Sequence, residues 1–137
     1  MPRINELRIA LKILVRPQGR LEKLMGDVLR VLALSLGAIW LSEIRYEVEA
    51  FRRTLGEYED VTEEEVEEAV LRLRDLGLIA CEHRIRGVLD ERQGVPDLLV
   101  SIRSRAEVAK VLRRDERTQR YLTLMLLLTS PSDGLEE

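Results

Sequence analysis

The sequence predicts a mainly α-helical fold with one small antiparallel β-hairpin, and three observations predict it. Apolar residues recur at three- and four-residue spacing through successive segments of the chain. The period changes to two only over Ile79–Ile85 and Leu98–Ile102. Apolar residues make up 45% of the chain but aromatics only 4%, so the core must be built from Leu, Val, Ile and Ala. Such residues favour helix-on-helix packing over a large sheet.

Ile4, Leu7, Leu11 and Leu14 predict a first helix over Arg3–Val15. Pro17 and Gly19 then break it, since proline has no amide donor and disfavours helix in the residue before it. A second helix over Arg20–Leu36 carries apolar residues around most of its circumference in its last turns, so its own domain or a partner must bury it. Gly37 is its expected stop. Ala38–Leu41 reads either as a short strand or as the start of the next helix, for which Ser42 is the expected N-cap. Ile44, Val48, Phe51 and Leu55 form the stripe of this third helix.

Thr62 and Glu65 have the spacing of a capping box, opening a fourth helix that buries Val66, Val70 and Leu73 and stops at Gly77. In the strands that follow, Ile79, Cys81, His83 and Ile85 share one face, and Ala80, Glu82, Arg84 and Arg86 share the other. Gly87–Asp97, with two glycines and a proline, reads as a long polar hairpin loop. Ser104 and Glu107 suggest a second capping box before Val108, Val111 and Leu112. Tyr121–Leu128 is strongly apolar. The expected organisation is one domain at 1–129, with a core at about 20–103, flanking helices at 3–15 and 104–129, and a flexible acidic tail at 130–137.

The net charge of −3 exerts no whole-protein pull toward nucleic acid or an anionic membrane. One cysteine, Cys81, precludes an internal disulfide and suits a reducing, cytoplasmic setting. No signal peptide or membrane span is expected. Arg supplies 19 of 22 basic residues and amides are scarce, a composition common in thermophiles and also in GC-rich genomes.

Helices followed by Val66-x-x-x-Val70-x-x-Leu73-x-x-x-Gly77-Leu78-Ile79 and a two-stranded hairpin resemble the winged helix-turn-helix superfamily. The resemblance covers roughly Arg20–Arg103. It implies that the start of the fourth helix would enter a DNA major groove. The matching positions are Glu64, Glu65, Glu67 and Glu68, which phosphates would repel. Glu43–Glu68 holds eleven acidic and three basic residues, a local charge of −8. These glutamates read either as a solvated helix start, favoured by the helix dipole, or as a surface for a basic partner. The arginines of the hairpin, Arg84, Arg86, Arg92 and Arg103, can contact phosphates or a minor groove, unless they pair with nearby carboxylates.

His83 is the single histidine, and Cys81 and His83 without further ligands at metal spacing read as core-facing residues. No phosphate-binding glycine loop or nucleophilic triad is present. The expected function is therefore non-enzymatic, without cofactor or metal. It is DNA association through the hairpin arginines with weak sequence discrimination, or protein–protein adaptation through the acidic helix. A homodimer is expected in either case, because one small domain can hardly hide both the second helix and Tyr121–Leu128.

Overall fold

The computed structural model describes residues 4–89 and 91–129. The expected helix start at Arg3, the hairpin residue Asp90 and the acidic tail at 130–137 lie outside these described residues. The elements run α1 (Ile4–Val15), α2 (Arg20–Leu34), β1 (Ala38–Trp40), α3 (Leu41–Thr54), α4 (Glu63–Asp75), β2 (Ile79–Val88), β3 (Glu91–Ile102), α5 (Arg105–Leu112) and α6 (Glu116–Thr129). The fold is mainly helical, with a three-stranded antiparallel sheet in the order β1-β3-β2.

Helix α2 forms the centre, touching α1, α3, α4, α5 and the sheet. Every residue from Leu24 to Leu32 is buried. The apolar circumference seen in the sequence is thus covered by the domain itself, and α2 needs no partner to hide it. Each fully buried Val or Leu along it contributes about 1.5–3 kcal/mol relative to exposure. The helix ends at Leu34 rather than Leu36. Leu36 and Gly37 are both left-handed (φ 63° and 92°), and the Gly37 amide donates to Leu32 O at 2.8 Å. That bond closes the helix in the manner of a Schellman turn.

Ala38–Trp40 is a strand, settling the alternative left open by its sequence. Ile39 lies opposite Val100, which on its other side faces Cys81. Together with Ile79 and Ile102, these residues put the sheet's apolar face on the helices. Because β1 occupies this stretch, α3 begins at Leu41 with Trp40 as its cap, two residues before Ser42 could serve. The Ser42 hydroxyl donates instead to Asp97 on β3. The α3 stripe of Ile44, Val48, Phe51 and Leu55 is buried as expected. So are Val66, Val70 and Leu73 on α4, and the Thr62–Glu65 capping box forms in full.

The expected loop at Gly87–Asp97 is a correction. Pairing continues through Ile85↔Pro96 and Arg86↔Val95 to Val88↔Glu91, so both strands reach almost to the tip. A register shift after Arg86 takes up the extra residues of β3. Gly94 permits it: its φ is 73°, and a Cβ there would lie 2.7 Å from Arg86 O. Pro96, with no donor, sits beyond Leu99, where β1 stops and that edge of β3 faces no strand. Glycine and proline mark a bulge and an open edge here, not a loop.

Alternation along β2 also misled about burial. Ile79 is buried and Cys81 half-buried, but His83 and Ile85 are exposed, because beyond Cys81 this face of the hairpin is left open to solvent. His83 is therefore not a core residue. The Ser104 capping box is absent too: Ser104 is left-handed (φ 44°) and its side chain caps nothing.

The core holds a cluster of charges at the junction of α2, α3 and α6. Asp27, fully buried, accepts hydrogen bonds from Arg30 (2.8 Å), Arg52 (2.7 Å) and Arg117 (2.9 Å). Arg30 also grips Asp115 with two bonds, at 2.7 and 2.9 Å, and donates to Leu14 O, tying in α1. Arg117 makes a second bidentate pair with Glu57 at 2.7 and 3.0 Å and lies over the Phe51 ring. Asp115 in turn accepts from the Thr118 amide and hydroxyl, capping α6. Three carboxylates face three guanidinium groups, so the cluster is formally neutral. The sequence carries a signal for it: Asp27 and Arg30 interrupt the otherwise apolar run Leu24–Leu34 at i, i+3 spacing.

Candidate nucleic-acid interface

The hairpin arginines do not form one patch. On the face opposite the core, Arg84 pairs in register with Asp97, and Arg86 with Val95. Arg84 is exposed and lies 3.1 Å from Glu82. Arg86 is half-buried and forms ion pairs with Asp97 at 3.1 Å and with Glu43 at the start of α3 at 3.4 Å. Asp97 is itself in heavy use. Burial opposes its ionisation, but donors from Ser42 and the Leu98 amide outweigh it, with the Arg86 charge assisting, and hold the carboxyl below its ordinary range. Arg86 thus clamps the hairpin to α3 and is poorly placed to reach a phosphate.

Arg92 and Arg103 are exposed, and neither has an ion pair among the described residues. The Arg103 amide donates to Leu78 O at 2.9 Å, which fixes the chain beside the end of α4. Of the four arginines, these two are available to a ligand, Arg84 only by giving up Glu82, and Arg86 only by opening a clamp.

The acidic helix divides in a similar way. Glu65 accepts from the Thr62 amide at 3.0 Å and is held by the Arg20 guanidinium, which also donates to Asp60 O. The hydrogen bond from Arg20, then that from the Thr62 amide, pushes the Glu65 carboxyl down to about 2. Glu68 lies 3.8 Å from Arg72, one turn further on. Glu64 and Glu67 are exposed and have no ion pair among the described residues. Two of the four glutamates are therefore free to meet a cation, while Glu65 belongs to the helix start.

Cys81 is half-buried; burial pushes its thiol up, with Arg74 partly opposing, so the thiolate is disfavoured. Among the described residues, no group of three or more His, Cys, Asp or Glu is placed to hold a metal. No helix among them is long and apolar enough to cross a membrane.

Comparison with protein families, curated proteins and solved structures finds no match to this chain.

Sequence reasoning missed one basic surface. Lys110, Arg113 and Arg114 lie along the outward side of α5 and the turn that follows it, and all three are exposed. The signal was available. Val108 and Leu112 mark the buried side, and helical spacing then sends Lys110, Arg113 and Arg114 outward.

Proposed function

We propose that this chain is a winged helix-turn-helix module that associates with duplex DNA and acts without catalysis. One observation carries the reading: the order helix, strand, helix, helix, hairpin (α2-β1-α3-α4-β2-β3), with β1 hydrogen-bonded to β3. In such a module α4 takes the recognition position and the hairpin is the wing. The acidic start of α4 argues against base reading through that helix, so contact through phosphates and weak sequence discrimination are expected. Titrating salt against binding to random duplex DNA tests this. Binding that weakens steeply as salt rises supports the reading, and no binding even at low salt overturns it.

A second reading is favoured by the unpaired Glu64 and Glu67 and the exposed Glu68: an adaptor that holds a basic protein segment on the start of α4. If DNA is ignored at low salt, Glu64→Gln combined with Glu67→Gln should abolish capture of a basic peptide.

In either role we propose a homodimer joined through α6. Tyr121 and Leu124 pack on the core, but Leu122, Leu127 and Leu128 remain exposed, and Leu127 is 70% accessible. From Tyr121 to Thr129 the helix has no charge, so two copies can meet there without like-charge repulsion. Leu127→Glu should split the dimer while the fold survives, whereas Leu124→Glu should destabilise the domain itself. Light scattering and thermal melting separate the two outcomes. A wild-type monomer at tens of micromolar, the order of magnitude for a modest interface, removes the proposal.

A further inference from the structure

We infer that the outer face of α5, with Arg103 just ahead of it, grips a nucleic-acid sugar–phosphate backbone. The inference rests on the proposed DNA association and moves its main contact from the hairpin tip to this helix. Between Arg103 and Arg114 the chain holds five cations (Arg103, Arg105, Lys110, Arg113, Arg114) against one acid, Glu107, a net of +4 over twelve residues. All five are exposed, and none has an ion pair among the described residues. Several cations elsewhere are committed: Arg20, Arg30, Arg52, Arg86 and Arg117 all have carboxylate partners, whereas Lys12, Arg16, Arg53 and Arg92 are exposed and scattered singly. A run of cations left unpaired beside so many paired ones has its binding capacity intact, because no internal carboxylate must be displaced first.

The shape of the face suits a backbone. Val108 and Leu112 anchor α5 to the core. On the outward side, Ala106 and Ala109 are exposed between the basic residues. Methyl groups there leave room for a phosphate chain to approach, while Lys110, Arg113 and Arg114 reach around it. Arg105 is more constrained, since its guanidinium carbon sits 3.2 Å from where a Cβ on Gly37 would be. It supplies charge beside the helix start rather than a mobile arm.

Distance resolves the conflict with the acidic helix. The carboxylates crowd the start of α4, whereas Arg103 is bonded to Leu78, just past its other end. Along the axis of α4, Glu64 lies about 16 Å from the helix end, and Glu67 and Glu68 lie about 10 to 12 Å from it. These separations equal or exceed the screening length of about 10 Å at ~0.1 M salt, so the repulsion from Glu64, Glu67 and Glu68 is weakened at Arg103.

The test uses the full chain and a random duplex, with binding followed across salt. Lys110→Gln, Arg113→Gln and Arg114→Gln combined should leave the melting temperature unchanged, because these side chains make no hydrogen bond or ion pair among the described residues. The triple variant should weaken duplex binding roughly tenfold or more and make the log–log salt slope shallower by about 2 to 3, one phosphate per cation. Glu107→Gln should tighten binding. If the triple variant binds like the wild type while Arg84→Gln with Arg92→Gln weakens binding, the hairpin tip is the contact and this inference falls, leaving DNA association intact. If the wild type ignores duplex at low salt, DNA association and this inference fall together. Retention on anionic vesicles without duplex binding would assign the face to a membrane surface and likewise overturn the inference.

Discussion

The junction of α2, α3 and α6 and the outer faces of α4 and α5, the rim of the domain, are both dense in charge, yet they handle it in opposite ways. At the junction Asp27, Glu57 and Asp115 are matched one for one by Arg30, Arg52 and Arg117, and Lys23 approaches Glu57 from the edge at 3.5 Å. On the rim, charge is separated by sign: Glu64 and Glu67 unpaired at one end of α4, Lys110, Arg113 and Arg114 unpaired on α5. The reason is dielectric. A charge removed from water must find a partner within hydrogen-bond reach, whereas one left in water can stay single at little cost. What the difference teaches is where function can reside. The paired charges hold the helices in place, and the unpaired ones are free to meet a ligand.

Asp27→Asn should break the comparison most severely. It keeps the shape but leaves Arg30, Arg52 and Arg117 around a neutral amide in the interior. The expected loss is about 3–5 kcal/mol of stability, as when one member of a buried pair is removed. Urea denaturation measures it, and a loss below about 1 kcal/mol would mean that water reaches the cluster.

Acid should come next. Glu57 is held below its ordinary value chiefly by the Arg117 hydrogen bond, and Asp115 by Arg30 and Thr118 against the opposing effect of burial. Asp97 is lowered likewise, and Glu65 stands at about 2. Each folded value lies below its unfolded one, so each group stabilises the fold fully above the unfolded carboxylate range near pH ~4. That contribution fades as pH falls from there toward the depressed values. The urea midpoint should stay level between pH ~8 and ~5 and drop steeply below ~4. Added salt should change it little above that range, since the buried pairs are poorly screened.

Thr62→Ala removes one half of the capping box and should cost about 1 kcal/mol. It also sharpens the contrast within α4, because Glu65 would then keep Arg20 but lose its place in the helix start. Smallest of all, Glu64→Gln with Glu67→Gln should shift stability by no more than about 0.5 kcal/mol. A larger change would show that these two carboxylates have structural partners after all.

Sequence alone determined the elements whose cause is local. Periodicity placed four helices and located both strands, Gly77 ended α4 at a left-handed turn, and Thr62 with Glu65 capped it, because each depends on residues within a few positions. Local spacing misled where the decisive partner was distant. Ser42 was drawn from an N-cap to Asp97, 55 residues away, once β1 took the preceding residues. His83 kept the alternation of a core residue but lies where that face of the hairpin is left open to solvent. Gly94 and Pro96 looked like loop residues until the register showed a bulge and an unpaired edge. Tertiary structure alone decided which charges are spent and which are free. Asp27 meets Arg117 across 90 residues, and Arg86 meets Glu43 across 43, while Lys110, Arg113 and Arg114 meet no carboxylate among the described residues. Charge type is written in the sequence. Pairing depends on which surfaces the packed core brings within a few ångströms, and this chain's helices are brought together only when α2 is buried.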